Sequence, residues 1–254
     1  MKNIQKIILS FLIALFAKPQ LHAVADMYFS VPSGTATYSG DNTATGKAYK
    51  TGTGTAVFTG SNTFGNVEIN AGSVSVGSAS NLGNPTATIF NGSSVILKIT
   101  DNMNTGALTM TTAGTAQVQS GKTATLNAAP TGSNILSVTG TGTMAVASDL
   151  SGSSVPIAVS GSGTTLKVSG GSGKLPTAAI SVASGAILEL GASIANGAVP
   201  GTVNIASGGI VAVAAGVSAP SNVFSNATIP VFRGGATLEL RAGATFSQPI
   251  TVVP

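Results

Sequence analysis

The sequence has no cysteine, no tryptophan and one histidine, and only 7% of its 254 residues are charged and 5% aromatic. Each shortage removes a class of chemistry. Without cysteine there is no disulfide framework and no thiolate for a zinc site or a Cys-His nucleophile. The one imidazole, His22, belongs to the N-terminal segment described next, so Ser-His-Asp catalysis and histidine metal ligation are excluded from the remainder. Soluble domains ordinarily carry about a quarter charged residues. Here Ser, Thr, Asn and Gly must supply solubility.

Long apolar runs are scarce too. The clearest, from Ile7 to Ala17, follows Lys2 and Lys6 and precedes Ala23-Val24-Ala25, the pattern of a cleavable secretory signal over residues 1–25 with cleavage before Asp26. Spanning a bilayer as a helix takes about 20 apolar residues, and no later run reaches that length, so no transmembrane segment is expected in residues 26–254. The formal charge of +4 is also largely a property of the leader. Removing Lys2, Lys6 and Lys18 leaves eight basic residues against seven acidic ones. That near-neutrality gives no electrostatic footprint for nucleic acid or an anionic membrane.

What the sequence does have is a repeat. Two stretches of alternating apolar residues flank a turn keyed by glycine, most plainly in Ile180–Leu190, Val203–Val213 and Ile229–Leu240. Comparable glycines fall at Gly34, Gly54, Gly72, Gly92, Gly114, Gly142, Gly163, Gly185, Gly208 and Gly235, one unit about every 22 residues. Apolar pairs follow at alternate positions: Val95/Leu97, Leu166/Val168, Leu188/Leu190, Val211/Val213 and Leu238/Leu240, with Ala56/Phe58, Val74/Val76 and Met144/Val146 one residue closer to their glycines. Each unit therefore has an apolar side it cannot bury alone. Stacking the units in parallel buries it, which predicts an all-β fold: a right-handed parallel β-helix of about ten rungs over residues 26–254. The longer steps, Gly114 to Gly142 and Gly208 to Gly235, read as inserted loops. The competing architecture is a β-sandwich of hairpins, which does not require equivalent residues to return at a fixed interval. Frequent Gly, Pro and β-branched residues argue against helices beyond the leader.

Residues 52–83 carry Gly52, Gly54, Thr55, Gly60, Asn62, Ile69, Gly72, Val74, Val76, Gly77, Leu82 and Gly83. In this pattern the segment resembles the autotransporter-associated β-strand repeat, or passenger-associated transport repeat. Phe64 stands where the family usually has Tyr, and the following turn is shortened. The resemblance implies an exported passenger domain at the cell surface or outside the cell. Such passengers are followed by a translocating β-barrel, and no barrel sequence occurs up to Pro254. Residues 249–254 read as the strand before an anchor glycine, so the chain is expected to stop mid-rung.

Motifs for catalysis are thin. Ser172 lacks the following glycine of a nucleophile elbow, and Gly121-Lys122-Thr123 lacks the first glycine of a phosphate loop, with Ala116 in its place and a strand expected after it. Lys167, Glu189, Ala212 and Glu239 share one outward position on successive units. Two acids and a base on one column is the arrangement that a polysaccharide lyase or hydrolase would use. The simpler reading is a solvated face that keeps the rod soluble, and Arg233 and Arg241 read as surface residues in the same way. The sequons at Asn91 and Asn226 carry little weight in a bacterial-type protein. No catalytic, cofactor or metal site is assigned. The expected function is a non-enzymatic structural or adhesin-type surface protein, meeting a receptor or glycan on a host or neighbouring cell or associating with itself through an open end, the alternative being a carbohydrate-active β-helix enzyme.

Overall fold

The structure is a computed structural model that describes residues 25–43, 45–83, 87–171, 173–194, 196–224 and 230–254. Residues 1–24 of the leader and the Ser172 and Asn226 sites lie outside those residues.

Short runs of Val, Ile, Leu and Thr alternate inward and outward, and the chain coils rather than doubling back. A long sheet of eleven strands extends from Thr35–Tyr38 to Thr251–Val253. An N-terminal sheet of six strands runs from Met27–Ser30 to Thr131–Gly132, and a C-terminal sheet of seven from Met103–Asn104 to Thr237–Leu240. Pairing is parallel throughout the described residues, in the ladders and in the isolated bridges alike. The result is the expected β-solenoid of about ten turns. Leu188 and Val211, which a sandwich would separate, are direct partners. The helical content of the described residues is one 3-10 turn, Ala79–Leu82.

One inward column shows how the stack is held. Ala36, Ala56, Val74, Leu97, Ala116, Val138, Val159, Val182, Ile205, Phe232 and Val252 follow one another in register down the long sheet. Ten steps from Ala36 to Val252 average about 22 residues each. Met103, Ala124, Met144, Leu166, Leu188, Val211 and Leu238 form the matching column of the C-terminal sheet. Burying one such Leu or Val contributes about 2 kcal/mol, and a stack repeats that gain at every turn. Rings of Phe29, Phe58 and Phe64 meet edge to face near the N-terminal end. The columns run out at the other end, where Leu240 and Val252 are 50% and 67% exposed.

Two details differ from expectation. The first inserted loop does not exist: Gly114 pairs with Leu136 and Thr123 with Thr143, turns of ordinary length. The 28-residue step arises because the glycines change corner. Gly34, Gly54 and Gly72 precede strands of the long sheet, whereas Gly163, Gly185, Gly208 and Gly235 precede strands of the C-terminal sheet. The latter four stack, the N–H of each of the first three donating to the carbonyl of the next at 2.7–3.0 Å, with φ between 74° and 84° in all four. That left-handed corner is open to glycine at no steric cost. The second insertion is real, since Ile205 pairs with Phe232, 27 residues on. The other difference is Gly92, which is off the glycine column. Val95 occupies the position in register with Gly114.

Candidate functional site

The sequence predicts a solvated face for the outward column. The structure instead makes it a clasp. Lys167, Glu189, Ala212 and Glu239 are in register as predicted, but Glu189 is only 8% exposed. Its two carboxylate oxygens receive Lys167 Nζ at 2.8 Å from one side and Arg241 Nη1 at 2.6 Å from the other. Arg241 also donates through Nε to Glu239 at 3.1 Å. To reach Glu189, 52 residues away in sequence, the guanidinium crosses the turn that carries Ala212, whose side chain is fully buried. A methyl group there leaves room for the crossing. Burial raises the Glu189 pKa, and the hydrogen bonds and charges of Lys167 and Arg241 outweigh it, leaving the carboxyl below its ordinary range. The Arg241 pKa is raised by its hydrogen bond to Glu239. Sugar hydrolysis by paired carboxylates needs one of them kept protonated at working pH. Glu189 is held ionised, which excludes it as that acid, and both its oxygens are already engaged by Lys167 and Arg241.

The same thrift governs the other acids. Glu68 faces Lys47 at 3.6 Å, Asp101 takes Lys122 at 2.8 Å, and Asp149 takes Lys174 at 3.2 Å. Asp26 Oδ1 accepts from the Lys47 N–H at 2.9 Å, and Asp41 Oδ1 from the Ser61 N–H at 2.7 Å. These contacts, like Lys167 to Glu189, each join one turn to the next. The carboxylates therefore act as ties between rungs. Asp149 is the most perturbed, its pKa lowered to about 2 by the Ser151 hydroxyl and N–H and then by Lys174. Lys122 is thus spoken for, and the strand Thr123–Leu126 follows it, as expected of a turn rather than a phosphate loop. Arg233 is exposed. Asn91, also exposed, donates to Glu68 at 2.8 Å and Asn70 at 3.0 Å.

Two features escaped the sequence reading. Lys50 points inward, in register between Phe29 and Ile69, and is 1% exposed. Its ammonium donates to the carbonyls of Thr51, Gly52 and Ala71 at 2.8, 2.7 and 3.1 Å, and burial lowers its pKa. Alternation in Lys47-Ala-Tyr-Lys50-Thr51 does place Lys50 on the face of Ala48, which is the signal that could have found it. The second feature is a cleft of about 390 Å³ on the outer surface, where the long sheet turns toward the C-terminal sheet, lined by Lys98, Thr100, Gln117, Gln119, Ser120 and Thr141, with Ile99, Val118 and Gly140 beneath.

Among the described residues no group of three or more His, Cys, Asp or Glu could hold a metal ion, and no helix is long and apolar enough to cross a membrane. No family model, curated protein or solved structure matches the chain.

Proposed function

We propose that the chain is an exported bacterial surface protein whose β-solenoid is a stalk-like structural or adhesive module of the autotransporter passenger type. One observation carries this reading: every acidic residue from Asp26 to Glu239 is spent on a base or a backbone N–H, most of them on the neighbouring turn. Charge is used here to hold rungs together. The pattern at residues 52–83 and the leader-like residues 1–25 support the export half of the reading.

Expression of the full chain in a Gram-negative host tests it. The expected result is a product outside the cytoplasm whose first residue is Asp26, and beads coated with it that attach to host or bacterial cells above an uncoated control. Cytoplasmic retention of the uncleaved chain would remove the export half, and inert beads the adhesive half. Incubation with polysaccharides is expected to release no new reducing ends or unsaturated uronates. Turnover in that assay would hand the function to the carbohydrate-active alternative.

A further inference from the structure

We propose that the cleft at Gln117, Gln119, Ser120 and Thr141 binds a linear, neutral oligosaccharide laid along the rod axis. This deepens the adhesive reading by giving the rod a ligand class, although the binding itself does not require that reading.

The strands Val95–Ile99, Gly114–Val118 and Leu136–Thr139 lie side by side in the long sheet, and the chain turns after each of them. The cleft therefore presents groups from three successive turns, spaced about 4.8 Å apart along the axis. The side chains of Gln117, Gln119, Ser120 and Thr141 make no hydrogen bond among the described residues, which contrasts with the fully engaged acids elsewhere on the surface. Two primary amides and two hydroxyls supply donors and acceptors in about equal number. The floor is apolar in part. Ile99 and Val118 are fully buried beneath it, so Gly140 and the methylene stem of Lys98 are what the floor presents. Glycine is needed at 140 because the turns approach closely there: a Cβ would stand 2.4 Å from the Val118 carbonyl oxygen and 3.0 Å from Gln117 Cγ.

Backbone strain is an independent pointer to the same place. Thr141 has φ of 50°, a left-handed conformation that costs a β-branched residue free energy. It stands between Gly140 and Gly142 and is the sole side chain of that corner, where a third glycine would be relaxed. Ser94 and Ser193 take the same conformation at other corners, but Thr141 is the β-branched one of the three, and strain held at a cleft residue motivates the inference that its side chain is kept for what it can touch.

The chemistry selects the ligand. Peptide addition needs an open strand edge, and these three strands are hydrogen-bonded on both sides. A phosphate or sulfate chain needs free cations. Lys122 is tied to Asp101 at 2.8 Å, and Lys98 Nζ leans two turns away to Thr55 Oγ1 at 3.3 Å. A neutral sugar chain has hydroxyls on its edges for the amides and C–H faces for Gly140 and the Lys98 stem.

The test uses the exported product of the full chain, fluorescently labelled, on immobilised cellohexaose, maltohexaose, laminarihexaose and N-acetylchitohexaose, with polygalacturonate and heparin as acidic controls. At least one neutral hexasaccharide is expected to be bound. The double variant Gln117→Ala/Gln119→Ala is expected to bind it at least tenfold more weakly with an unchanged melting midpoint. Thr141→Gly is expected to melt higher and bind more weakly, opposite signs that a purely structural residue would not give. The inference is overturned if no neutral hexasaccharide binds, if the acidic chains alone bind, or if both variants bind like the parent. Cell attachment without hexasaccharide binding sinks the glycan site and leaves the adhesive rod standing; hexasaccharide binding without cell attachment does the reverse.

Discussion

Lys50 and Thr88 show what one buried polar atom does inside a stack of apolar columns. Lys50 fills a place between Phe29 and Ile69 that an apolar side chain would fill elsewhere, and it is tolerated because three carbonyls at the corner receive its ammonium. Lys50→Ala removes both the filling and the donor and is expected to cost about 3 kcal/mol. Lys50→Met keeps the volume and is expected to cost about 1 kcal/mol, measured by denaturant unfolding. Burial lowers the lysine pKa, so between the folded and the ordinary unfolded value the unfolded chain holds more protons. Stability from this group therefore rises with pH across that alkaline window and levels off above it. The parent should gain relative to Lys50→Met as pH climbs through the window, and a gap that stays flat would show that the ammonium is not desolvated. Thr88 is the opposite case. Its side chain is fully buried and its hydroxyl finds no partner among the described residues. Thr88→Val is expected to stabilise the protein by about 1 kcal/mol, since the same shape then carries no stranded polar atom; a loss would reveal a partner for that hydroxyl.

At the scale of the strand, the informative element is the clasp across the C-terminal sheet. Glu189→Gln leaves Lys167 and Arg241 facing a neutral amide and is expected to cost about 1–3 kcal/mol at neutral pH, discounted because both bases are a third exposed. The carboxyl pKa is depressed in the fold. Its contribution is thus complete above the ordinary glutamate range and disappears as pH falls below it, so the parent and variant curves should converge below roughly pH 4. Curves that remain parallel into acid would mean that Glu189 is not ion-paired in solution. This element also measures what the sequence could say. Alternation put Lys167, Glu189, Ala212 and Glu239 on one outward column, correctly, because side-chain period in a strand is fixed at two. It could not say that Arg241, outside that column, would swing across Ala212 and shut Glu189 from water. That contact depends on which rotamer a long side chain takes over a neighbouring turn, and spacing carries no such information. The corner change between Gly114 and Gly142 was hidden for a related reason. Glycine marks a bend, and two different bends of the same turn are chemically alike, so a slip from one to the other reads as an insertion. The cleft was less legible still, since Gln117, Gln119 and Thr141 become neighbours only when three turns are laid side by side.

For the whole molecule, the stack makes a prediction about length that runs against intuition, because each turn pairs its backbone with its immediate neighbours alone, and only long side chains such as Arg241 and Lys98 reach a turn further. Ile180 and Val203 are register partners, as are Ile187 and Ile210, each pair separated by 23 residues. Deleting residues 180–202 removes one complete turn and lets Val203 pair with Ile157, Ile205 with Val159 and Val211 with Leu166. Every inward column stays apolar. The shortened protein is expected to keep its β circular dichroism and melt cooperatively, at a lower midpoint because Glu189 is lost, with a rod about 4.8 Å shorter by small-angle scattering. Deleting only residues 192–202 should do far more harm. Gly191 would then be the entire connection between Leu190 on one sheet and Val203 on another. A single residue reaches at most about 3.6 Å, whereas the path back around the coil occupies twelve residues in the intact chain. The last turns would have to leave the stack, taking Phe232, Leu238 and Arg241 with them and freeing Glu189 from its clasp. If the smaller deletion folds and the larger one does not, stability is not passed from turn to turn, and the ties between neighbouring rungs are not what holds the rod.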